Sequence, residues 1–372
     1  MADRIRVGVV GAHAERGWGR AVHLPALAAS QDDYEITAVA GTSAESARAA
    51  AQVWGARHAF DDARELMAHP EVDLVTVAVQ LPQRDGLVDA AIAAGKHVYS
   101  EWPLALDAET AERFRTSAEA AGVQAAIGLQ SRHHPMVRYL RDLLAEGAVG
   151  EVLSTSLTYS LAAPEVWSQR YTALFDATKG VNHVAVVGGH SLDMYRSIVG
   201  DFAELSATLT TRIRTVTLQE TGEDIEVTSP DQIVVAGLLE SGAAASAHFM
   251  TGGPRGDGFR VEVHGRAGRL VLRSTDDSLV GPEFVLTRAA ANDGPVETLA
   301  LPARYRLDAA GAPGPALAPG PVSNVRQVYA DLARAIRTGE SFAPDFGTAV
   351  RTHRLLDAIK RSAETGLRRR LG

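Results

Sequence analysis

The first third of the chain alternates short apolar runs with helix-like segments, and that order leaves few folds open. Residues 5–10 read as a buried strand that stops at Gly11, and 35–40, 72–79, 97–100 and 123–128 read as four more. Between them, Thr42 and Glu45 stand at capping-box spacing, with Gly55 placed to end that helix. The segment 83–94 ends at Gly95, and 108–121 opens after Asp107 and ends at Gly122. An aspartate there accepts hydrogen bonds from the first helical N–H groups, and a glycine takes the left-handed closing conformation. Alternation of this kind requires parallel strands covered on both faces. Right-handed crossovers then give a doubly wound sheet whose ligand crevice lies at the carboxyl ends of its strands.

The pattern changes after about residue 131. A helix over 134–146 places Met136, Leu140, Leu143 and Leu144 on one face and stops at Gly147. Stretches rich in β-formers follow at 152–161, 205–218, 233–239, 243–250, 259–263 and 269–273, several alternating apolar with polar residues. These read as an open, mostly antiparallel sheet. One strong helix, 186–199, interrupts them with the run GGHSLDMY. The Pro-, Gly- and Ala-rich stretch 307–321 reads as a loop, and 325–372 as two helices packing back on the chain. The expected division is therefore 1–130, 131–324 and 325–372, an α/β domain followed by an α+β domain.

Composition narrows the function classes. Hydrophobic residues make up 46% and charged residues 22%, which is globular composition. The net charge of −8 does not attract phosphate backbones, so nucleic acid is not an expected partner. The chain has no cysteine, which excludes disulfides, thiolate metal sites and cysteine nucleophiles, and suits a reducing compartment such as the cytoplasm. The apolar run near the start is too short for a signal peptide or a membrane span. No HExxH, GxSxG or GxxxxGK[ST] motif occurs, and no metal site is expected; His133 and His134 are adjacent and point to different faces.

Chemistry first suggests itself after the first strand, in Gly11-Ala-His13-Ala-Glu-Arg16-Gly17-Trp18-Gly19. A strand, a glycine-rich turn and a helix start together make an anion site suited to the diphosphate of a dinucleotide. The spacing from Gly11 to Gly17 is longer than G-x-G-x-x-G, so the turn alone is also read as an ordinary strand–helix connection. After the second strand stand Ala40-Gly41-Thr42-Ser43, with no carboxylate for a ribose 2′-hydroxyl. Small hydroxyl residues there leave room for a 2′-phosphate, which favours NADP over NAD, although both residues also suit a helix cap.

Further segments carry a resemblance. They are Val79-Gln80, the run Gly95-Lys-His-Val-Tyr-Ser-Glu101-Trp102-Pro103-Leu, GLQSR at 128–132, GGHSLD at 188–193 and AVRTHRLLDAI at 349–359. In this order and at these distances they resemble the Gfo/Idh/MocA family, the glucose–fructose oxidoreductases, inositol dehydrogenases and relatives, over nearly the whole chain. The long GxxxxxGWG turn followed by HLPAL, with EWPL and KGV…GGHSLD, is most similar to the branch that holds the fungal galactose-regulon repressor.

The resemblance implies a Rossmann domain followed by an open β-sheet domain, and NAD(P)-linked oxidation or reduction at a carbon of a sugar or cyclitol. It implies cofactor contacts from Gly11, His13, Arg16, Gly17, Trp18, Gly19, Thr42, Ser43, Val79, Gln80, Leu81, Glu101, Trp102 and Gln130. It also exposes three departures. Trp102 stands where the family has a lysine, Val186 where it has an aspartate four residues before its histidine, and Arg84 where a histidine is frequent.

His190 is the remaining candidate for proton transfer, since an ordinary imidazole titrates near ~6.5 and serves as base or acid. Its other reading is a core histidine bonded to backbone. Lys179 and His183 are candidate substitutes for the lysine, and Asn182, Arg132, Trp167, Tyr171 and Asp193 are candidate substrate contacts. Aromatic faces stack on sugar rings, arginine clamps anions, and Asp193 lies three residues after His190 on one helical face. Three readings stay open: a sugar-type oxidoreductase, a dinucleotide-binding regulator without turnover, and a redox-neutral enzyme that recycles bound cofactor. A homodimer or homotetramer is expected through the open sheet.

Overall fold

Val7 and Val9 have no exposed surface, and the strand that carries them lies at the centre of the first sheet. The architecture comes from a computed structural model, which describes residues 3–371 apart from 85, 163–164, 253–254, 282, 291–293 and 307–319. The expected loop at 307–321 falls almost wholly outside the described residues. The chain divides into two compact units, one of residues 1–133 and 307–351, the other of 134–306 and 352–372. The C-terminal tail is thus shared between them.

The first unit holds strands β1 (Ile5–Val10), β2 (Tyr34–Ala40), β3 (His58–Phe60), β4 (Leu74–Val77), β5 (His97–Ser100) and β6 (Ala125–Ile127). All pair in parallel, in the order β3-β2-β1-β4-β5-β6. The order reverses between β1 and β4, and at such a switch point neighbouring crossovers leave on opposite faces and open a crevice. The covering helices are α1 (Leu24–Ala28), α2 (Ala44–Trp54), α3 (Ala63–Ala68), α4 (Leu87–Ala93) and α5 (Ala108–Ala120). Asp107 caps α5, accepting from the N–H of Thr110 at 2.7 Å, and Gly55 ends α2 in the left-handed conformation, both as the sequence predicts. The cap of α2 lies one residue later than expected. Ser43 rather than Thr42 accepts the N–H of Ser46, at 3.2 Å.

A tail helix completes this core. Its aromatic ring Tyr329 lies among His23, Tyr34 and Tyr99, all without appreciable exposure. A buried phenol needs partners. The Tyr329 hydroxyl lies 2.9 Å from His23 Nδ1 and 2.9 Å from Thr76 Oγ1, and the Tyr34 hydroxyl donates to the Tyr329 carbonyl at 2.7 Å. Replacing Tyr329 with phenylalanine strips His23 and Thr76 of their shared partner. The expected cost is ~1–3 kcal/mol, read as a lower thermal midpoint by roughly 2–4 °C per kcal/mol.

The second unit begins with α6 (Pro135–Ala145), whose N-cap His134 accepts the N–H of Met136 through Nδ1 at 3.2 Å. Its strands are β7 (Val152–Leu161), β8 (Val166–Trp167), β9 (Phe202–Thr210), β10 (Thr215–Leu218), β11 (Asp224–Glu226), β12 (Gln232–Leu239), β13 (Ala244–Thr251), β14 (Gly258–Gly265), β15 (Gly268–Ser274), β16 (Phe284–Ala290), β17 (Glu297–Leu299) and β18 (Arg369–Arg370). Among the described residues, nine form one sheet in the order β17-β16-β15-β14-β7-β13-β12-β9-β18, and β11-β10-β8 form a small second sheet. Pairing in the large sheet is antiparallel except between β7 and β13.

One face of the large sheet is buried by Leu157, Tyr159, Val235, Ala247, Phe249 and Val261. The alternate residues of β12, Val234, Ala236 and Leu238, are exposed. The helices of this unit are α7 (Thr172–Phe175) and α8 (Gly189–Val199), then the later part of α10 (Phe346–Thr365); α9 (Pro321–Thr338) is the tail helix of the first unit.

Where the sequence reads one stretch over 205–218, the chain makes two strands in different sheets. The cause is Asp231, whose Oδ2 accepts the N–H groups of Arg212 at 2.8 Å and Ile213 at 2.6 Å and draws the chain out of the large sheet. The short β3 and α3 between β2 and β4 carry no period long enough to be read in advance.

Candidate functional site

The crevice of the first unit is built from strand ends. At the end of β1, Gly11 takes φ +87°, and its N–H and that of Ala12 both donate to the Ala40 carbonyl, at 3.1 and 3.2 Å. The chain then returns over the same point. A Cβ on Gly19 would lie 2.7 Å from the Gly11 carbonyl oxygen, and one on Gly11 would lie 2.8 Å from Val79 Cγ1. Only glycine lets the helical run from 19 to 28 start this close to the end of β1.

The extra length of the turn has its own organiser. His13 Nδ1 accepts the N–H groups of Glu15 at 3.0 Å and Arg16 at 3.3 Å, and the Arg16 Nε lies 3.3 Å from His13 Nε2. The imidazole folds residues 13–16 into a closed loop, which keeps Gly11 and Gly19 in register despite the long spacing. Trp18, a candidate cofactor contact, is partly buried and packs against the core of this unit.

At the end of β2, Gly41 and Thr42 precede the capping Ser43, and no carboxylate stands among 40–43. The Ser43 hydroxyl, expected to face a ribose, is committed to its helix cap. Beyond β4, Val79 is half-buried against Gly11, Gln80 is exposed and Leu81 is buried.

Beyond β5, Glu101 is tied at both ends. Its N–H donates to the Val77 carbonyl, and its Oε1 lies 2.8 Å from His23 Nε2. Each group in that chain is satisfied when Thr76 donates to Tyr329, Tyr329 donates to His23 Nδ1, and His23 Nε2–H donates to Glu101. The carboxylate rests on Gly128, where a Cβ would come 2.5 Å from Oε1. Trp102 is 6% exposed and is followed by a cis peptide to Pro103. Gln130, a candidate cofactor contact, has no exposed surface, and Arg132 is half-buried.

The second unit carries the other candidates. A π-helical turn, Val184–Gly188, leads into α8, and His183, Val186 and His190 follow one another at helical spacing. His190 is 7% exposed and Asp193 1%. His183 is 2% exposed, and burial pushes its pKa down to about 4, with the charge of Asp231 opposing. Asn182 is not a substrate-facing amide. Its Nδ2 donates to the carbonyls of Ala177 and Lys179, at 3.1 and 2.9 Å, and its Oδ1 accepts the N–H of Ala185 at 3.1 Å. Lys179 is exposed on that turn. Trp167 meets Tyr171 and Phe175 edge-on at 5.8 and 5.2 Å, and Phe175 in turn meets His183 at 5.6 Å. These aromatic residues border the small sheet.

One group with metal-binding residue types lies elsewhere, where the edge strand β3 meets the end of α3 and the turn after it. His58 Nε2 is 2.8 Å from Glu71 Oε2, with His69 beside them. The Arg57 guanidinium stands 3.4 Å from the same carboxylate oxygen and already balances its charge.

Two family models cover these units. Residues 5–129 match the oxidoreductase family with NAD-binding Rossmann fold, and 135–274 match the Gal80p C-terminal domain. The chain belongs to the Gfo/Idh/MocA family. Within this family it is 36% identical over 214 residues to the dehydrogenase aclE of Aspergillus oryzae, covering 56% of this chain and 58% of that one. It is 27% identical over 292 residues to the galactose/lactose metabolism regulatory protein GAL80 of Kluyveromyces lactis, covering 72% and 63%. The matches thus span less than two thirds of either relative. The solved levoglucosan dehydrogenase complex with NADH and L-sorbose superposes with a TM-score of 0.83 at 23% identity, covering 100% of this chain and 99% of that one, and shares its fold.

Three residues that tie these strand ends together were not legible in that role. His23 and Tyr329 are 306 positions apart and meet only through the fold, and the sequence marks Arg84 only as a departure from the family pattern. The one signal was the placing of His23 in HLPAL. No described helix is long and apolar enough to cross a membrane.

Proposed function

We propose that the chain is an NAD(P)-dependent oxidoreductase acting at a carbinol or carbonyl carbon of a sugar-like or polyhydroxylated metabolite. The observation that carries this is the approach of Gly19 to the Gly11 carbonyl at the switch point of a sheet matched by the NAD-binding family model. Dehydrogenases among its relatives, and the sugar-bound NADH complex of similar fold, support the reaction class.

In this reading the turn from Gly11 to Gly19 holds the diphosphate, and Gly41 and Thr42 face the adenosine ribose. With no carboxylate there, NADP(H) is favoured over NAD(H). Val79, Gln80, Leu81, Glu101 and Trp102 wall the nicotinamide. When bound, the nicotinamide supplies or accepts a hydride. The proton must be handled by the chain, and Trp102, Glu101 and Arg84 do not offer a group for it. Trp102 has no titratable group, Glu101 is bonded to His23, and Arg84 is bonded to backbone carbonyls. His190 is assigned that proton, taking it from a substrate hydroxyl in oxidation and returning it in reduction. Tyr171 and Trp167 offer stacking faces for a ring-shaped substrate.

Absorbance at the reduced nicotinamide band, followed with a panel of sugars and polyols, tests this. A change with at least one of them is expected. Intact dinucleotide binding with no change across the panel would support a second reading, a regulator without turnover. Trp102 in the lysine position and the Gal80p match favour that reading. Products formed without net cofactor consumption would identify a redox-neutral enzyme.

The proposed assembly is a homodimer or homotetramer through the open face of the large sheet, where Val234 and Leu238 are 41% and 40% exposed. Leu238→Glu, which sets a charge in that face, is expected to give a monomer by light scattering, against an oligomer for the wild type. A monomeric wild type would contradict this.

A further inference from the structure

Arg84 sits at the end of the 3₁₀ turn Leu81–Arg84 and is 5% exposed. A buried guanidinium normally faces a carboxylate. This one faces backbone. Its Nη2 and Nε donate to the Val79 carbonyl at 2.9 and 3.2 Å, and its Nη1 donates to the carbonyls of Glu101 and Pro103. Burial lowers its pKa to about 10, with the charge of Glu101 opposing, so the group is a cation at neutral pH.

The three carbonyls belong to two separate turns. Val79 follows β4, while Glu101 and Pro103 follow β5 on either side of Trp102. We propose that Arg84 is the positioning residue of the nicotinamide half of the site. It joins the turn after β4 to the turn after β5, and so fixes Val79, the Glu101 carboxylate and the Trp102 indole as one wall. This rests on the reading that a nicotinamide dinucleotide binds at these strand ends.

The residue type follows from the geometry. A planar guanidinium carries five N–H donors in fixed directions and reaches carbonyls on two sides at once. A lysine ammonium is a point charge on a flexible stem and does not hold that fork. The diphosphate turn lies outside the clamp, since none of the Arg84 acceptors lies between Gly11 and Gly19. Loss of the clamp should therefore loosen one end of the dinucleotide and leave the other in place.

Calorimetric titration separates the two ends. NADPH and NADH probe the whole site, and ADP-ribose with its 2′-phosphate form probes the half without nicotinamide. Arg84→Met and Arg84→Lys are compared with the wild type, with circular dichroism to establish the fold; Arg84→Lys keeps the charge and serves if Arg84→Met does not fold. Each variant is expected to bind the reduced dinucleotide ~10-fold more weakly or worse, about 1.4 kcal/mol, with ADP-ribose binding unchanged. The emission of bound NADPH is expected to shift toward that of the free cofactor. Equal weakening of both ligands, or no weakening of either, overturns the clamp. A wild type that binds ADP-ribose and NADPH equally well also overturns it, because the nicotinamide wall then contributes nothing. A wild type that binds neither fails the dinucleotide reading itself, which is a separate result.

Discussion

Replacing His190 with alanine is expected to lower turnover by ~10²–10⁴-fold and to leave the dissociation constant of the dinucleotide unchanged. The size of the effect comes from the lack of alternatives. The family lysine position is Trp102, and the position one helical turn before His190 is Val186, so neither position supplies an acid–base group. Asn182 is consumed by the turn before the helix. His183 is held neutral down to about pH 4, which makes it a poor proton acceptor at neutral pH. The check is the initial rate of nicotinamide absorbance change with the best substrate of the panel, beside a dinucleotide titration of the same variant. Undiminished turnover in His190→Ala would remove that residue from the chemistry.

Acidification from pH 6.5 to 4 is expected to weaken the second unit by ~3 kcal/mol through His183 alone, at ~1.4 kcal/mol for each pKa unit. The folded imidazole protonates near 4, because burial disfavours its charged form, whereas an unfolded one protonates near ~6.5. Between these values the unfolded chain binds the extra proton, so stability falls as pH falls. With 2% exposure at His183, solvent screening does little to reduce the effect. Urea unfolding midpoints at pH 7 and pH 4.5 measure it. His183→Leu removes the proton-binding group and should flatten that part of the pH dependence. An unchanged slope in His183→Leu would show that other groups carry the acid sensitivity.

How much of this could be read from the sequence depended on whether the cause was local. Strands β1 and β5 and helix α5 were legible because their apolar runs and end residues, Gly11, Asp107 and Gly122, act within a few positions. The break between β9 and β10 was not, because Asp231, which makes it, lies some twenty residues downstream. The extra length of the first turn looked like a fault in the motif. In the fold it is a loop closed by His13, with Gly11 and Gly19 still in contact distance of one another. Candidate residues chosen by type fared unevenly for the same reason. Asn182 has the right chemistry for a ligand but its amide is taken up by a turn, while Ser43 caps a helix and Trp18 packs against the core. Arg84 was noted only as a departure, since its partners are backbone carbonyls, which carry no signature in a sequence.

Dinucleotide binding depends on the glycine turn. Fluorescence titration of the purified chain with NADPH and NADH, beside the variant Gly19→Val, addresses it directly. One dinucleotide per chain is predicted, with NADPH bound more tightly than NADH. In Gly19→Val, whose Cβ would meet the Gly11 carbonyl at 2.7 Å, affinity should fall at least ~10-fold. Absence of binding by either dinucleotide at ~1 mM, or undiminished affinity in the valine variant, would contradict it.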